Sequence, residues 1–198
     1  MKKKIIAVCL IVALAATAVV GGTLAYFTDK DDATNTFTVG NVDITLTEPN
    51  WEGSGSEDAP EVYPGEPLAK DPTVENVGAN PCFVRVKVTG LDCLGDAGLI
   101  TTRYKWADGY NTAEWVYHNG YYYYMVNGSG VMQPGTKSAP LFDQIVIPTG
   151  LTNGNAETEF NVVVTAEAVQ AQGAKASFAQ VEAMTVTEIA AWFTTCGL

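Results

Sequence analysis

Side chains suited to catalysis are scarce in this chain of 198 residues, which contains one histidine and four cysteines. The histidine, His118, lies beside an Asn-Gly pair, and no His-Glu-x-x-His motif is present. A catalytic zinc ion normally has about three protein ligands and an open position. With a single imidazole, the other ligands would have to be carboxylates or thiolates, and no spacing singles out such a set. His118 is also the one histidine that could act as the base for a nucleophilic serine or cysteine. We therefore expect no catalytic residues, no metal site and no cofactor.

An acidic run, Asp29-Lys30-Asp31-Asp32, is similar to the opening of a calcium loop. The glycine and the later acidic residue of an EF-hand loop do not follow it. A solvated charged segment is the simpler interpretation of this run, and we adopt it here.

Three cysteines lie outside the apolar N-terminal run: Cys82, Cys93 and Cys196. A turn at Thr89-Gly90 would allow Cys82 and Cys93 to form a disulfide, which we give as the candidate pair. Cys196 could instead pair with either of them, and three free thiols are the remaining alternative. Because the number is odd, at least one thiol stays without an intramolecular partner.

Aromatic residues are concentrated around one predicted hairpin, with Asn119-Gly120 between two aromatic runs. A two-residue type I′ turn requires positive φ at both residues, which Asn and Gly tolerate. Four consecutive tyrosines in a strand place two side chains on each face of a sheet. This aromatic strip could form ordinary cross-strand pairs, contact another subunit or stack on sugar rings. Its members are Trp115, Tyr117, Tyr121, Tyr122, Tyr123 and Tyr124.

The first 25 residues have the layout of a secretory signal peptide. Three lysines precede an apolar run, residues 5–20, and a stretch of small residues, 21–25. An uncleaved membrane anchor is the alternative, because a spanning helix needs about 17–25 apolar residues. Cleavage after Ala18 and cleavage after Ala25 both satisfy the small-x-small rule. We favour the second site, because the first would leave an apolar new N-terminus without evident use.

Cleavage after Ala25 would leave one domain, residues 26–198, with eight basic and 22 acidic residues and a net charge of −14. A domain of this size buries about 70% of the surface that its unfolded chain exposes, so it can hold a sizeable core. The strong negative charge excludes nucleic acid and anionic lipid as partners. Membrane contact is expected only through the uncleaved signal peptide.

The remaining sequence alternates between apolar and polar residues with a period of two, which is typical of half-buried strands. The clearest examples are residues 42–47, 82–88 and 160–168, with Gly, Pro and Asn turn signals between such segments. We predict an all-β, antiparallel, jelly-roll-like β-sandwich of about seven to nine strands. Apolar residues recur at roughly helical spacing in residues 177–197. This spacing predicts a short C-terminal helix that covers one end of the sheet core. Docking of the helix on a partner is the alternative.

Two N-terminal stretches, "GGTLAYFTD" at residues 21–29 and "NTFTVGNVDITLTE" at residues 35–48, resemble the start of the TasA/camelysin-like family of Gram-positive bacteria. Residues 62–88 are similar to a Pro-Gly turn, a charged step and two strands of that family. Residues 160–173 are similar to its last core strand. Together these segments cover a little under half of the chain.

The resemblance implies cleavage between Ala25 and Tyr26 by a signal peptidase of the SipW type and a jelly-roll domain outside the cell. It places the protein at the cell surface or in the biofilm matrix. Some members are fibre subunits, in which the new N-terminal segment completes the sheet of the next subunit. Camelysin itself is described as a surface metalloendopeptidase, which makes a peptidase the alternative function. A carbohydrate-binding or adhesive surface module is the second alternative.

Residues 26–39 suit such a donor strand. Phe27, Phe37 and Val39 could fill pockets, while the acidic run would keep the free segment soluble. Addition of a strand in this way is β-augmentation, in which backbone bonds give affinity and alternate side chains give specificity. The expected partners are copies of the same chain and, in addition, a minor fibre or anchoring protein. The alternative is that residues 26–39 form the first strand of their own sheet.

Overall fold

The alternating segments of the sequence form strands where the structure describes them. The computed structural model describes residues 41–56, 63–92, 100–103, 109–151, 161–171 and 178–198. These residues belong to one compact unit, Gly40–Leu198. The ten strands within the described ranges are β1 (Ile44–Thr47), β2 (Pro67–Ala69), β3 (Thr73–Asn76), β4 (Cys82–Thr89), β5 (Thr101–Arg103), β6 (Trp115–His118), β7 (Tyr121–Tyr124), β8 (Val131–Met132), β9 (Gln144–Val146) and β10 (Val163–Gln170).

The strands form three antiparallel sheets. A five-stranded sheet has the order β10-β4-β7-β6, and β8 pairs with β4 as well. A three-stranded sheet has the order β2-β9-β5, and β1 pairs with β3 in a two-stranded sheet. A short π-helical turn, Trp51–Gly55, follows β1. The predicted class, an all-β antiparallel sandwich with a short C-terminal helix, is confirmed.

The central strand, β4, has two buried faces. Cys82, Val84 and Val86 point into a core between the sheets, which we call the sandwich core. Phe83 lies on the other face, in a second apolar cluster that we call the helix-covered core. Arg85 lies on the face opposite the valines, as the alternation of residues 82–88 predicts. Arg85 is nevertheless buried, because the second face of this sheet is covered by protein and not by water.

The Asn-Gly pair forms the predicted hairpin. Asn119 and Gly120 have φ values of 49° and 85°, and β6 pairs with β7 on either side of them. A second pair, Asn127 and Gly128, has φ values of 51° and 82° and connects the bridged residues Val126 and Ser129. Both turns use the left-handed region that a type I′ hairpin requires.

The C-terminal segment forms two helices, α1 (Phe178–Glu182) and α2 (Val186–Thr195). The Thr185 side chain accepts a bond from the Glu188 backbone N–H, and the Glu188 carboxylate accepts one from Thr185 N–H. This capping box begins a new helix and explains why the predicted helical stretch is divided. The helices cover one face of the five-stranded sheet. This differs from the sequence-based expectation of a helix that covers one end of the core. No helix among the described residues is long and apolar enough to cross a membrane.

Candidate functional site

The longest unpaired edge of the five-stranded sheet belongs to β10. All eight residues of β10 pair with β4 on one side, from Val163 opposite Thr89 to Gln170 opposite Cys82. On the other side, no strand of the described residues pairs with β10. An edge of this kind presents a row of backbone N–H and C=O groups that can pair with another strand.

Apolar side chains at this edge face the sandwich core but are only half buried. They are Val164, Ala166 and Ala168 of β10, together with Ile44 and Leu46 of β1. We call these five residues the seam. The strands β1 and β10 approach each other here without a hydrogen-bonded pairing among the described residues. The described residues therefore cover the sandwich core only in part where these two strands meet.

The chain that follows β1 is fixed by a buried ion pair. Lys70 Nζ lies 2.8 Å from Glu48 Oε2 and 4.6 Å from the centre of the Trp51 ring. The buried carboxylate of Asp71 accepts a bond from Asn50 N at 2.8 Å. These contacts tie the end of β1 to the segment between β2 and β3. The β1 side of the seam is consequently attached to a rigid part of the fold.

The outer face of β10 is fixed by Arg85. Its Nε donates to Glu167 Oε2 of β10 at 2.6 Å, and its guanidinium lies 4.0 Å from the Tyr121 ring centre and 4.4 Å from that of Phe193. Burial alone lowers the pKa of Arg85, but hydrogen bonds to Glu167 and Tyr123 outweigh it, and the pKa is raised. Arg85 therefore stays charged and joins β4, β10 and α2.

The predicted aromatic strip is divided between the two cores and solvent. Trp115 and Tyr124 are buried in the sandwich core, where their ring centres are 5.8 Å apart in an edge-to-face contact. Tyr123 is buried in the helix-covered core, and Tyr121 packs at its margin. Tyr117, with 53% of its surface exposed, is the most accessible member.

Tyr122 is half buried and links the exposed tyrosine to the interior. Its ring centre lies 5.0 Å from that of Tyr117 and 5.0 Å from that of Tyr110. Burial raises the pKa of Tyr122, with smaller contributions from Tyr117 and Tyr110. A contact role for the strip is thus limited to Tyr117 and its half-buried neighbours.

The described cysteines differ in accessibility. Cys82 is a buried free thiol whose Sγ lies 3.9 Å from the Met132 carbonyl oxygen. Burial raises the pKa of Cys82 to about 12, so the reactive thiolate is scarce at neutral pH. Cys196 is an exposed free thiol at the end of α2. Cys93 lies outside the described residues, and its pairing with Cys82 stays a prediction.

The residues of the predicted N-terminal sites also lie outside the described part of the chain. This holds for the cleavage site, for the acidic run and for the donor segment. The individual residues are Ala25, Tyr26, Phe27, Asp29, Asp31, Asp32, Phe37 and Val39.

The described residues do not fit a catalytic zinc site. The Nε2 atom of His118 lies 3.0 Å from Asn119 Nδ2, and its ring centre is 6.3 Å from that of Tyr123. Within the described ranges, no three His, Cys, Asp or Glu side chains are grouped so that they could hold a metal ion. No step of peptide hydrolysis can be derived from this set of side chains.

The seam was not among the sites predicted from the sequence. Its signal is the pair of alanines at inward positions of β10, since small side chains facing a core leave space that another residue must fill. Alternation alone identifies the inward face of a strand, but it does not tell whether that face is fully covered.

The family comparison agrees with the N-terminal motifs. The family described as camelysin metallo-endopeptidase matches residues 1–84, a range that ends within β4. No curated protein and no solved structure matches the chain. The match supports a cell-surface or extracellular protein. The predicted resemblance is confirmed over these residues, in which the chain is similar to the camelysin family.

Proposed function

We propose that this protein is a secreted structural component of the cell surface or biofilm matrix, whose copies assemble by strand donation. Residues 26–39 of one copy pair with the free edge of β10 in the next copy, and their apolar side chains fill the seam. The observation that carries this proposal is the half-buried seam beside the outer edge of β10, with which no strand of the described residues pairs.

The length of β10 limits how much of the donor can pair with it. A strand of eight residues offers backbone partners to about eight of the fourteen residues in the donor segment. Ala166 and Ala168 have small side chains, and we expect the space beside them to accept Phe37 and Val39, which lie two residues apart on one face of the incoming strand. Full burial of a phenylalanine contributes about 1.5–3 kcal/mol. Burial of such a side chain offsets only part of the cost of ordering the segment, which is about 1–2 kcal/mol per residue, and the backbone bonds to β10 must contribute the rest.

Signal-peptide cleavage is the switch in this proposal. Before cleavage, Tyr26 is joined to the apolar run of residues 5–20, so the donor segment is tethered at both ends. Removal of residues 1–25 by a peptidase of the SipW type frees one end, and the segment can then enter a neighbour. Head-to-tail donation does not close on itself, so it produces filaments.

A mixing experiment tests both halves of the contact. Protein starting at Tyr26 is expected to form filaments, and protein starting at Thr38 is expected to stay monomeric because it has no donor. Val164→Asp places a charge in the seam and is expected to stop polymerisation of the longer form. Val163→Asp is the matched control, because Val163 is 51% exposed on the opposite face of the same strand.

The decisive sample combines the Val164→Asp protein, which keeps its donor, with the protein that starts at Thr38, which keeps its seam. Neither should form filaments alone, and together they should form one-to-one complexes that sedimentation can detect. Polymerisation of the Thr38 form would show that residues 26–39 are not the donor. Normal filaments from the Val164→Asp protein would show that the seam is not the acceptor.

The dependence of filament growth on ionic strength gives a further test. Each mature copy carries a net charge of −14 by the sequence, so copies repel one another. Added salt screens charges on exposed surfaces, and filament growth should accelerate between about 0.01 and 0.15 M salt. Filaments restricted to low salt would contradict an assembly driven by apolar contacts.

A peptidase is the second candidate, because the matching family is described as a metallo-endopeptidase. The mature chain should then cleave an unfolded protein substrate in the presence of zinc and lose this activity with a chelator. Our proposal expects filament formation that is insensitive to the chelator and no cleavage. Replacement of the single histidine, His118→Asn, is expected to leave assembly unchanged.

A further inference from the structure

The edge opposite β10 belongs to β6, a short strand whose outer side pairs with no other strand in the described part of the chain. β6 lies at the other end of the five-stranded sheet. Val116 is 36% exposed on one face of β6, and Tyr117 is 53% exposed on the other. Edge strands in stable monomers usually carry a lysine, a proline or a bulge that discourages pairing. β6 has the sequence Trp-Val-Tyr-His and contains neither residue.

The charge distribution makes this hairpin the place where two copies can approach. Residues 115–124 contain no Asp, Glu, Lys or Arg, although the whole chain contains 22 acidic residues. The nearest acidic neighbour in sequence, Glu114, is half buried and accepts a bond from Ala139 N at 2.7 Å. Two strongly acidic molecules repel each other least where both surfaces are neutral. A second copy of this chain is therefore the partner that fits this surface.

The hairpin also determines the register of such a contact. In a two-residue hairpin, the residues that flank the turn form a hydrogen-bonded pair, and such pairs alternate with non-bonded ones. His118 with Tyr121 and Val116 with Tyr123 are thus the bonded pairs of β6 and β7. The backbone groups of Tyr117 and Trp115 consequently point to the free edge.

The backbone N–H of Trp115 already has a hydrogen-bond partner within the chain. Trp115 N donates to Asn111 O at 3.0 Å, so a bonded pair centred on Trp115 is blocked. Tyr117 is the remaining centre. An antiparallel copy related by a two-fold axis would exchange N–H and C=O bonds between Tyr117 and the Tyr117 of the second molecule.

We propose that β6 pairs with β6 of a second copy about this two-fold axis, and that the pairing joins filaments side by side. The four-residue strand buries little area, well below the roughly 800 Å² per partner of a stable complex. A single contact is therefore weak. Repeated along two filaments, the same contact gains strength through multivalency. The lateral effect rests on the proposed function, whereas the pairing of two β6 strands does not.

Charge exchange at position 117 tests the two-fold register. Tyr117→Asp alone places two carboxylates opposite each other, and Tyr117→Lys alone places two ammonium groups opposite each other, so each variant should form single filaments without bundles. A mixture of the two variants should restore bundles, because aspartate then faces lysine. Electron microscopy and light scattering measure the bundled fraction. Tyr63→Asp is the matched control, since Tyr63 is 71% exposed outside β6.

The same variants can be examined without filaments. The mature chain with Val164→Asp, whose seam is blocked, should dimerise weakly through β6, and Tyr117→Asp should lower its association constant by about tenfold or more. Sedimentation at high protein concentration measures this constant. Bundles from either single variant, or a mixture that stays unbundled, would overturn the pairing. If no filaments form at all, dimerisation of the blocked protein still decides the proposal.

Discussion

The two faces of the five-stranded sheet come from the same strands but are closed to different extents. On one face, Phe83 and Tyr123 pack against Phe193 and Ile189 of α2, and all four are buried. On the other face, Val86 at the centre is buried, but the inward side chains of β10 are only half buried. The first face is thus fully covered along β4 and β7, whereas the described residues cover the second face only in part along β10.

The difference lies in which part of the chain supplies the cover. The C-terminal segment folds back onto one face, and Trp192 Nε1 donates to the Gln170 carbonyl oxygen at 3.1 Å, next to the end of β10. The seam has no such cover from the described residues. A protein that needs a segment from another copy must leave a site of this kind open. We therefore expect that shortening a side chain on the helix-covered face reduces stability. Shortening a side chain in the seam should mainly reduce assembly.

The largest loss is expected for Phe193→Ala. Phe193 is inaccessible to solvent and contacts the Tyr123 ring with centres 6.0 Å apart. Removal of a buried phenylalanine costs about 3–5 kcal/mol of unfolding free energy. Urea unfolding measures the loss, and Leu198→Ala, at a half-exposed residue of the same segment, is the control. Equal stability of the two variants would show that α2 does not seal this face.

Two valines allow the centre of the sandwich core to be compared with the seam at its edge. Val86 is buried at its centre and Val164 is half buried in the seam. We expect Val86→Ala to cost about 2–3 kcal/mol and Val164→Ala roughly half as much. In filaments the difference should shrink, because a donor strand then covers Val164. Urea unfolding of monomers and filaments measures both values, and a cost for Val164→Ala that is the same in both forms would contradict the filling of the seam.

A smaller loss is expected for Glu167→Gln, which leaves the buried guanidinium of Arg85 without its carboxylate. The Glu167 side chain is 29% exposed, so water compensates in part. We expect a cost of about 1–2 kcal/mol, within the range for hydrogen bonds to charged groups. Urea unfolding measures it, and Glu182→Gln at an exposed residue of α1 is the control. If both variants are equally stable, Arg85 is held by the two aromatic rings alone.

Strong local patterns allowed much of the fold to be predicted from the sequence. The strands β1, β4 and β10 follow from alternation, and the β6–β7 hairpin follows from Asn119-Gly120. The strands β2, β5, β8 and β9 have only two or three residues each, too few for a period of two to appear. Their pairing depends on partners far away in the sequence.

The environment of Arg85 and the seam could not be predicted, because both depend on what covers the sheet. Alternation assigns Arg85 to the face opposite the valines, and a charged residue there predicts a wet face. Burial against Phe193 follows only once α2 has been placed. In the same way, the inward alanines of β10 indicate space that another residue must fill, but alternation does not tell whether the cover over them is complete.

The smallest effect concerns pH and the capping box of α2. The Thr185 backbone N–H donates to the Glu188 carboxylate at 2.8 Å and its hydroxyl donates at 2.7 Å, and these bonds lower the pKa of Glu188. A carboxyl group whose pKa is lower in the folded state stabilises the fold above its unfolded pKa. This contribution is lost as the pH falls through the folded pKa. Wild-type protein should therefore lose slightly more stability than Glu188→Gln between neutral and strongly acidic pH.

Urea unfolding at several pH values measures this difference, and Glu182→Gln is again the control. Because α2 covers the face away from the seam, filament formation at neutral pH should be the same for Glu188→Gln and wild type. A Glu188→Gln protein that unfolds with the same pH dependence as wild type would show that the lowered pKa of Glu188 does not contribute to stability. A variant that stays stable but fails to assemble would show that the two faces are coupled, and the separation of a stability face from an assembly face would then be wrong.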